Sequence, residues 1–446
     1  MSAGYAITTY KIQLNYKHLN WFKQTQSLFD SVLAFYYELL EKQPEALSLT
    51  NQNLLRHLEL QTIKQRDGTP PETPLPFEKI PLYFRRAAIN AAISMYRSYV
   101  GKLKAWQEGT IKSGKPSPPK RLHMSMLYYK GMYKDFDEKS ILLKLYTGKT
   151  WAWVKHRYTG RPFPENAELM SPTIVVKKKK VMLHIPVKEI VEDSRTAKER
   201  VQQNEKFVAV ALTGSDSLAV CTTIEADGRA AAPYFIKGGK ELAHRRKLLL
   251  GYTKRGAAKN ESSYGQTVGN DALGVCPRGL SSYGQAEAGI VPQEHRPNAK
   301  YYEKITRVTD HYAHEVSRKI VDYAIKQGAK LIVLPELKES FDQAKKPYLG
   351  KTPYDFIGRR IARYVQYKAW QKGLVAMTSK PYYASTRCYH CGAPIAKHNT
   401  EYQNPSPNFY GGKNFMCKEG HRGSSALNSA RNLGKGFYER FYAGAA

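Results

Sequence analysis

FVAVALTGSDSLAVCTTI (207–224) reads as two apolar strands joined at a Gly turn, and LIVLPEL (331–337) reads as a third. Runs of Val, Ala, Leu and Ile with little polar alternation suit strands buried on both faces. Between them lie a basic segment, GGKELAHRRKLLLGYTKR (238–255), and residues 256–298, which are rich in Gly, Ser, Ala and Gln and are expected to form a mobile loop. From Tyr301 to Gln327, Ile305, Val308, Tyr312, Val316, Ile320 and Ala324 recur on one helical face, and Gly328 supplies a stop. A basic helix over about 354–372 and a strand at LVAMTS (374–379) follow. The order β–β–loop–α–β–α–β predicts a mixed α/β domain.

Upstream, the pattern changes. YAITTYKIQLN (5–15) alternates as a strand, and helices are expected over Trp21–Lys42, Asn53–Gln65 and Pro81–Gln107. EGTIKSGKPSPPK (108–120) is a basic linker. Strand signals return at 141–146, 149–156, 172–179 and 180–190. These predict a small β-barrel made from 1–15 and 140–195, with residues 16–139 as a helical insert and 191–205 as a charged linker. The second domain is then 206–385 with 424–446, interrupted by an insert at 386–423. The fold class is multidomain α/β, the second domain being of RNase H type.

Seventy Lys+Arg against 38 Asp+Glu leave a net charge of +32. Self-repulsion on this scale opposes compaction unless a polyanion neutralises it, and nucleic acid is the usual one. Several of the 32 tyrosines stand beside cations, as at Tyr128, Tyr129 and Lys130; such pairs can stack bases while the cations hold phosphates, although core packing explains most single tyrosines. No apolar run reaches the ~20 residues a membrane helix needs, and MSAGYAITTYKIQLN has no signal-peptide core, so a cytoplasmic, nucleoid-associated protein without a membrane partner is expected.

Five cysteines argue against a disulfide scaffold. Cys221 and Cys276 stand alone, while Cys388-Tyr-His-Cys391 and Cys417-Lys-Glu-Gly-His421 form two pairs with the spacing of a structural zinc ribbon. For the fourth ligand His421 competes with His390 and His398, and three cysteines with water is a further arrangement. RNase H-like nucleases gather carboxylates at strand ends and on a nearby helix to hold two Mg²⁺ ions. Here the strand from Phe207 reaches Ala211 where an Asp would serve, Glu336 ends the strand 331–337, and the helix after Ser424 has no acid in its first turn.

TRCYHCG (386–392), CKEGH (417–421) and ALNSARNL (426–433), together with VAVALTGSDSLAV and LIVLPEL, resemble the RuvC motifs and zinc ribbon of the TnpB proteins and compact type V CRISPR effectors. The resemblance covers 206–446; over 1–205 it is one of architecture, a wedge-like barrel with a helical recognition insert. It implies an RNA-guided, Mg²⁺-dependent DNA endonuclease whose partners are a guide RNA and double-stranded target DNA with a short flanking motif, one or two chains binding one guide. It also implies that the family's first and last Asp map onto Ala211 and Ala426, leaving Glu336, with Pro335 standing where many members carry Glu. A lone acid cannot hold a metal pair, so the chain is expected not to cleave. Two alanines at two aspartate positions read as deliberate inactivation, since natural decay scatters among Asn, Ser, Gly and Lys; a naturally inactive repressor or transposon-targeting subunit is the alternative. Expected nucleic-acid contacts are Arg245, Arg246, Lys247, Lys254, Arg255, Arg359, Arg360, Arg363, Lys178 and Lys179, and Asn428 is expected to hold the start of its helix. A DNA transposase and a non-enzymatic zinc-ribbon RNA-binding protein are the rival readings.

Overall fold

The computed structural model describes residues 4–65, 67–110, 114–137, 139–160, 162–177, 179–214, 216–264, 299–337, 353–398 and 412–443. The chain divides into two compact units, Tyr5–Ile190 and Val191–Ala446, the latter joined by Met1–Gly4.

The first unit is an eight-stranded sheet with helices. Its strands are β1 (Tyr5–Asn15), β2 (Met126–Leu127), β3 (Tyr133–Lys134), β4 (Ser140–Tyr146), β5 (Trp151–Thr159), β6 (Glu168–Leu169), β7 (Thr173–Lys177) and β8 (Lys180–Ile190). They run in the order β2-β7-β8-β1-β5-β4-β3, with β6 also on β8. The two ends of that order, β2 and β3, are linked by residues 128–132 alone. The long pair β1 and β8 sets the frame, and its register opposes Tyr10 to Ile185 and Ile12 to Leu183. Alternation then buries Tyr10, Ile12 and Leu14 on the same side as Val181, Leu183, Ile185 and Val187. Against them pack α1 (Leu19–Lys42), α2 (Asn51–Thr62) and α3 (Leu82–Gln107). Phe29 meets Phe84 edge-on at 5.4 Å, while Ala87, Ala88, Ala91 and Ala92 let α3 approach closely. Glu59 on α2, hydrogen-bonded by Arg85 and Arg86 at 2.8 and 2.9 Å, fastens α2 to α3.

The segment 191–205, expected as a linker, is structured. It contains α4 (Ala197–Gln202), opened by a capping box between Thr196 and Glu199. Arg200 is fully buried and donates to the carbonyl oxygens of Gly373 and Asp193, with Asp193 and Glu205 as its carboxylate partners at 3.1 and 3.7 Å. A charged run reads as solvated, but here one cation is satisfied inside the unit.

The second unit is built on β9 (Phe207–Leu212), β10 (Ser217–Ile224), β11 (Ala230–Lys237), β12 (Leu331–Pro335) and β13 (Val375–Ser379), in the order β11-β10-β9-β12-β13. The first three are antiparallel, and β12 runs parallel to both β9 and β13. β11 is a strand the sequence does not announce, because its alanines and Pro233 carry little strand signal; as an edge strand it tolerates the proline. The basic segment and the first residues of the expected loop form one helix, α5 (Gly239–Tyr264), and residues 265–298 of that loop lie outside the described residues. Then come α6 (Ala299–Lys326), α7 (Pro353–Gln371) and α8 (Ser425–Phe441).

Alternation along β9 sorts its two faces. Val208, Val210 and Leu212 share a core with Val316 and Ile320 of α6 and Ile361 and Val365 of α7. Phe207 and Ala209 face the other way, toward Leu433 and Phe437 of α8. Gly434 makes that contact possible: a Cβ there would stand 2.7 Å from the Ile224 side chain and 3.0 Å from Ala209 Cβ. Between β13 and α8 lies a three-stranded antiparallel sheet of β14 (Ile395–His398), β15 (Asn414–Cys417) and β16 (Arg422–Ser424). This small sheet has a core of its own, with Phe415 buried beside Cys388 and Cys417.

Candidate functional site

Cys388, Cys391, Cys417 and His421 converge, their ligand atoms all lying within 4.8 Å of one another. Each pair sits on a tight turn. Gly392 N donates to Cys388 O at 2.9 Å and Gly420 N to Cys417 O at 3.0 Å, with Gly392 and Gly420 at φ of 72° and 82°. Glycine adopts that left-handed backbone at little cost, which lets each turn close tightly. The Cys391 and Cys417 sulfurs are 3.7 Å apart, and the Cys417 sulfur is 3.4 Å from His421 Nδ1. Two sulfurs each about 2.3 Å from one tetrahedral ion are about 3.8 Å apart, so the donor set fits zinc. Burial pushes the Cys388 thiol up, but backbone donors from Cys391 and His390 outweigh it and hold the group below the ordinary thiol range. His421 is the imidazole whose ring nitrogen lies close enough to the three sulfurs to serve as the fourth donor. His390 stacks on it at 5.1 Å, and His398 pairs with Asn414 in the sheet. Cys221 is buried in β10, where desolvation pushes its thiol up.

The cluster is tied to α8. Tyr389 N donates to Asn428 Oδ1 at 2.8 Å, and Asn428 Nδ2 donates to Arg387 O at 2.7 Å. Asn432 Nδ2, one turn on, donates to the same carbonyl at 2.7 Å and to Ala384 O at 3.2 Å. The expectation for Asn428 is therefore corrected. Ser424, whose side chain accepts from Leu427 N, caps the helix, and Asn428, 3% exposed, grips the first metal turn instead. The signal was the pair of asparagines four apart on one helix face, but nothing in their spacing names the partner. At the base of the ribbon, Lys413 Nζ meets Asp216 Oδ2 at 2.7 Å.

Ala211, Glu336 and Ala426 lie toward one end of the five-stranded sheet. β9 and β12 are parallel in register from Phe207 and Leu331, so Ala211 and Glu336 stand at neighbouring strand ends. Glu336 N donates to Ser379 O at 2.9 Å, which fixes the backbone there. Alternation puts Ala211 on the α8 face, where Ala209 already meets Gly434. Ala426 is two turns, about 12 Å, nearer the helix start than Gly434. Ala211 is buried and Ala426 half-buried, and of the three positions Glu336 alone supplies a carboxylate.

The basic candidates stand in different local settings. Arg245 pairs with Glu241 at 2.6 Å and lies 6.0 Å from the Tyr312 ring. Arg246 is half-buried, and burial and nearby Arg360 pull its titration down. Lys247 is exposed. The side chains of Lys254 and Arg255 lie outside the described residues, as does Lys178. Arg360 is paired with Asp310, which also accepts from Tyr364 Oη at 3.2 Å; Arg359 is half-buried, and Arg363 lies over the Tyr364 ring at 5.5 Å. Lys179 is exposed, and its carbonyl accepts from Tyr16 Oη at 2.6 Å. No helix among the described residues is long and apolar enough to cross a membrane.

Residues 359–433 match the family described as Cas12f1-like, TNB domain, and residues 6–147 match the Aq_aa04 family. The chain is 30% identical over 139 residues to the CRISPR-associated endodeoxyribonuclease Cas12f1 of Sulfoacidibacillus thermotolerans, covering 31% of this chain and 29% of that protein. It is 30% identical over 140 residues to the CRISPR-associated endodeoxyribonuclease Cas12f2 of Micrarchaeota archaeon (strain CG1_02_47_40), covering 30% of this chain and 24% of that protein. These matches span less than a third of either relative. In fold, the chain is similar to the protein in a Cas12f1-sgRNA-target DNA complex, with a TM-score of 0.53 at 15% identity over 93% of this chain and 81% of that one.

Proposed function

We propose that this chain, a relative of the compact type V and TnpB-like effectors, is an RNA-guided DNA-binding protein whose RuvC-type nuclease site is inactive. Guide RNA pairs with the target strand, and the protein grips backbone shape and a short flanking motif. The observation that carries the reading is that Ala211, Glu336 and Ala426, far apart in sequence, lie toward one end of a five-stranded RNase H-like sheet beside a Cys₃His cluster. Two of the three acids a metal pair needs are missing there, so Mg²⁺ has too few oxygen ligands. Zinc at Cys388, Cys391, Cys417 and His421 has a closed shell and is structural. The eight-stranded sheet of Tyr5–Ile190, whose end strands are joined by 128–132, acts as the barrel wedge, with α1 to α3 as its recognition insert. The exposed cations Lys247, Arg363 and Lys179 are the phosphate contacts. Sequencing RNA that copurifies with the chain tests this: one defined RNA is expected, and the loaded protein should retain the complementary duplex over a scrambled one. RNA-free protein with no such preference refutes it.

A further inference from the structure

Tyr382 and Tyr383 stand side by side in the turn after β13 and are 60% and 65% exposed. Two adjacent large rings left in water are costly, and neither has a place in the metal cluster or the sheet core. Tyr383 also has a φ of 53°, a left-handed backbone that glycine adopts freely and a bulky residue adopts only under strain. The turn enforces it: Tyr383 O accepts from Thr386 N at 3.0 Å and from Arg387 N at 3.1 Å. Behind the turn, Ala384 is buried, and Asn432 of α8 holds the Ala384 and Arg387 carbonyls. The backbone is therefore fixed while both rings project.

Cations flank the rings. The Arg387 guanidinium lies 4.6 Å from the Tyr383 ring centre and the Arg440 guanidinium 5.3 Å from that of Tyr382, and Lys380 is exposed beside them. Each ring thus has a guanidinium against it and remains more than half exposed. Flat aromatic faces bracketed by positive charge match an unpaired nucleobase with its phosphate.

We propose that Tyr382 and Tyr383 form a stacking platform for unpaired bases of single-stranded nucleic acid, held by the α8 asparagines and flanked by Arg387 and Arg440. It rests on the nucleic-acid reading above but assigns a site which that reading does not use.

The test uses the full chain, a short oligothymidylate carrying one 2-aminopurine, and its oligouridylate counterpart. Stacking quenches the probe, so charge-driven binding elsewhere does not mimic it. Tyr382→Leu with Tyr383→Asn, which tolerates the left-handed backbone, should remove the quench and weaken binding by about 5- to 150-fold per base lost. The salt dependence should stay as it was, because no cation is removed. Arg387→Gln should flatten it. Tyr383→Gly should keep or raise the melting temperature, since the strain is released; a purely structural tyrosine would lower it. Loss with the DNA probe alone assigns the platform to a DNA strand, and loss with the RNA probe alone assigns it to guide RNA. A quench that survives in the double variant, or a Tyr383→Gly chain that melts earlier, overturns the platform. Failure to bind either oligonucleotide overturns the nucleic-acid reading as well.

Discussion

Two candidate metal sites lie within the second unit, and their donor sets differ. The sulfur and imidazole site keeps all four donors, within 4.8 Å of one another, on turns shaped by Gly392 and Gly420. The oxygen site proposed at Ala211, Glu336 and Ala426 has one carboxylate, Glu336, and alanine at the other two positions. The first needs a closed soft shell to hold a ribbon together; the second needs several hard ligands to activate water. On the proposed reading, a chain with the first and without the second binds without the chemistry. The same helix, α8, carries both Asn428, which anchors the first cysteine turn, and Ala426, one of the proposed acid positions.

The largest effect should come from rebuilding the depleted site. Ala211→Asp with Ala426→Asp should create Mg²⁺-dependent cleavage of guide-matched DNA, several orders of magnitude above the unaltered chain, while either reversion alone should not. A strand-resolved cleavage assay checks this, and no rescue would favour natural loss over deliberate inactivation. Dismantling the intact site comes next: Cys417→Ser should leave zinc unretained on dialysis, and amide exchange should rise through β14 to β16.

Acid separates the two units. His156 in β5, 1% exposed, is pushed down to about 4 chiefly by burial. Below its ordinary 6.5 the unfolded chain takes up a proton that the folded one refuses. Its contribution is thus whole above pH 6.5, and about 3 kcal/mol is lost as the pH falls toward 4. In the second unit Asp193 is held well below the usual carboxylate range, first by its hydrogen bonds to Arg195 and then by Arg200. That stability is present above about pH 4 and is lost only in stronger acid. Trp21, Trp106, Trp151 and Trp153 lie in the first unit and Trp370 in the second. Tryptophan emission should therefore shift between pH 6.5 and 4 before amides of the second unit lose protection. The smallest change tests the link between the sites: Asn428→Ala should weaken zinc affinity by about 10- to 100-fold, as seen when the groups that orient metal ligands are removed, with the cluster still assembling.

What could be read in advance followed from local physics. Cys388, Cys391, Cys417 and His421 were legible because their spacing fits tight turns around one ion, and β9, β12 and α6 because apolar periodicity marks buried faces. Arg200 was not, since a cation in a charged run looks solvated and its carbonyl partner at Gly373 is far away in sequence. β11 was missed because Ala230, Ala231 and Pro233 carry no strand propensity and the pairing with β10 decides its state. Asn428 was assigned to its own helix because helix starts favour asparagine, while its actual partners come from another element.

One assay bears most directly on the proposal that this chain grips DNA without cutting it. The chain, loaded with the RNA that accompanies it, is mixed with matching duplex and Mg²⁺, and the bound fraction and the integrity of both strands are read from the same reaction. Retained duplex with both strands whole is the predicted result; severed strands, or retention indifferent to sequence, would contradict it.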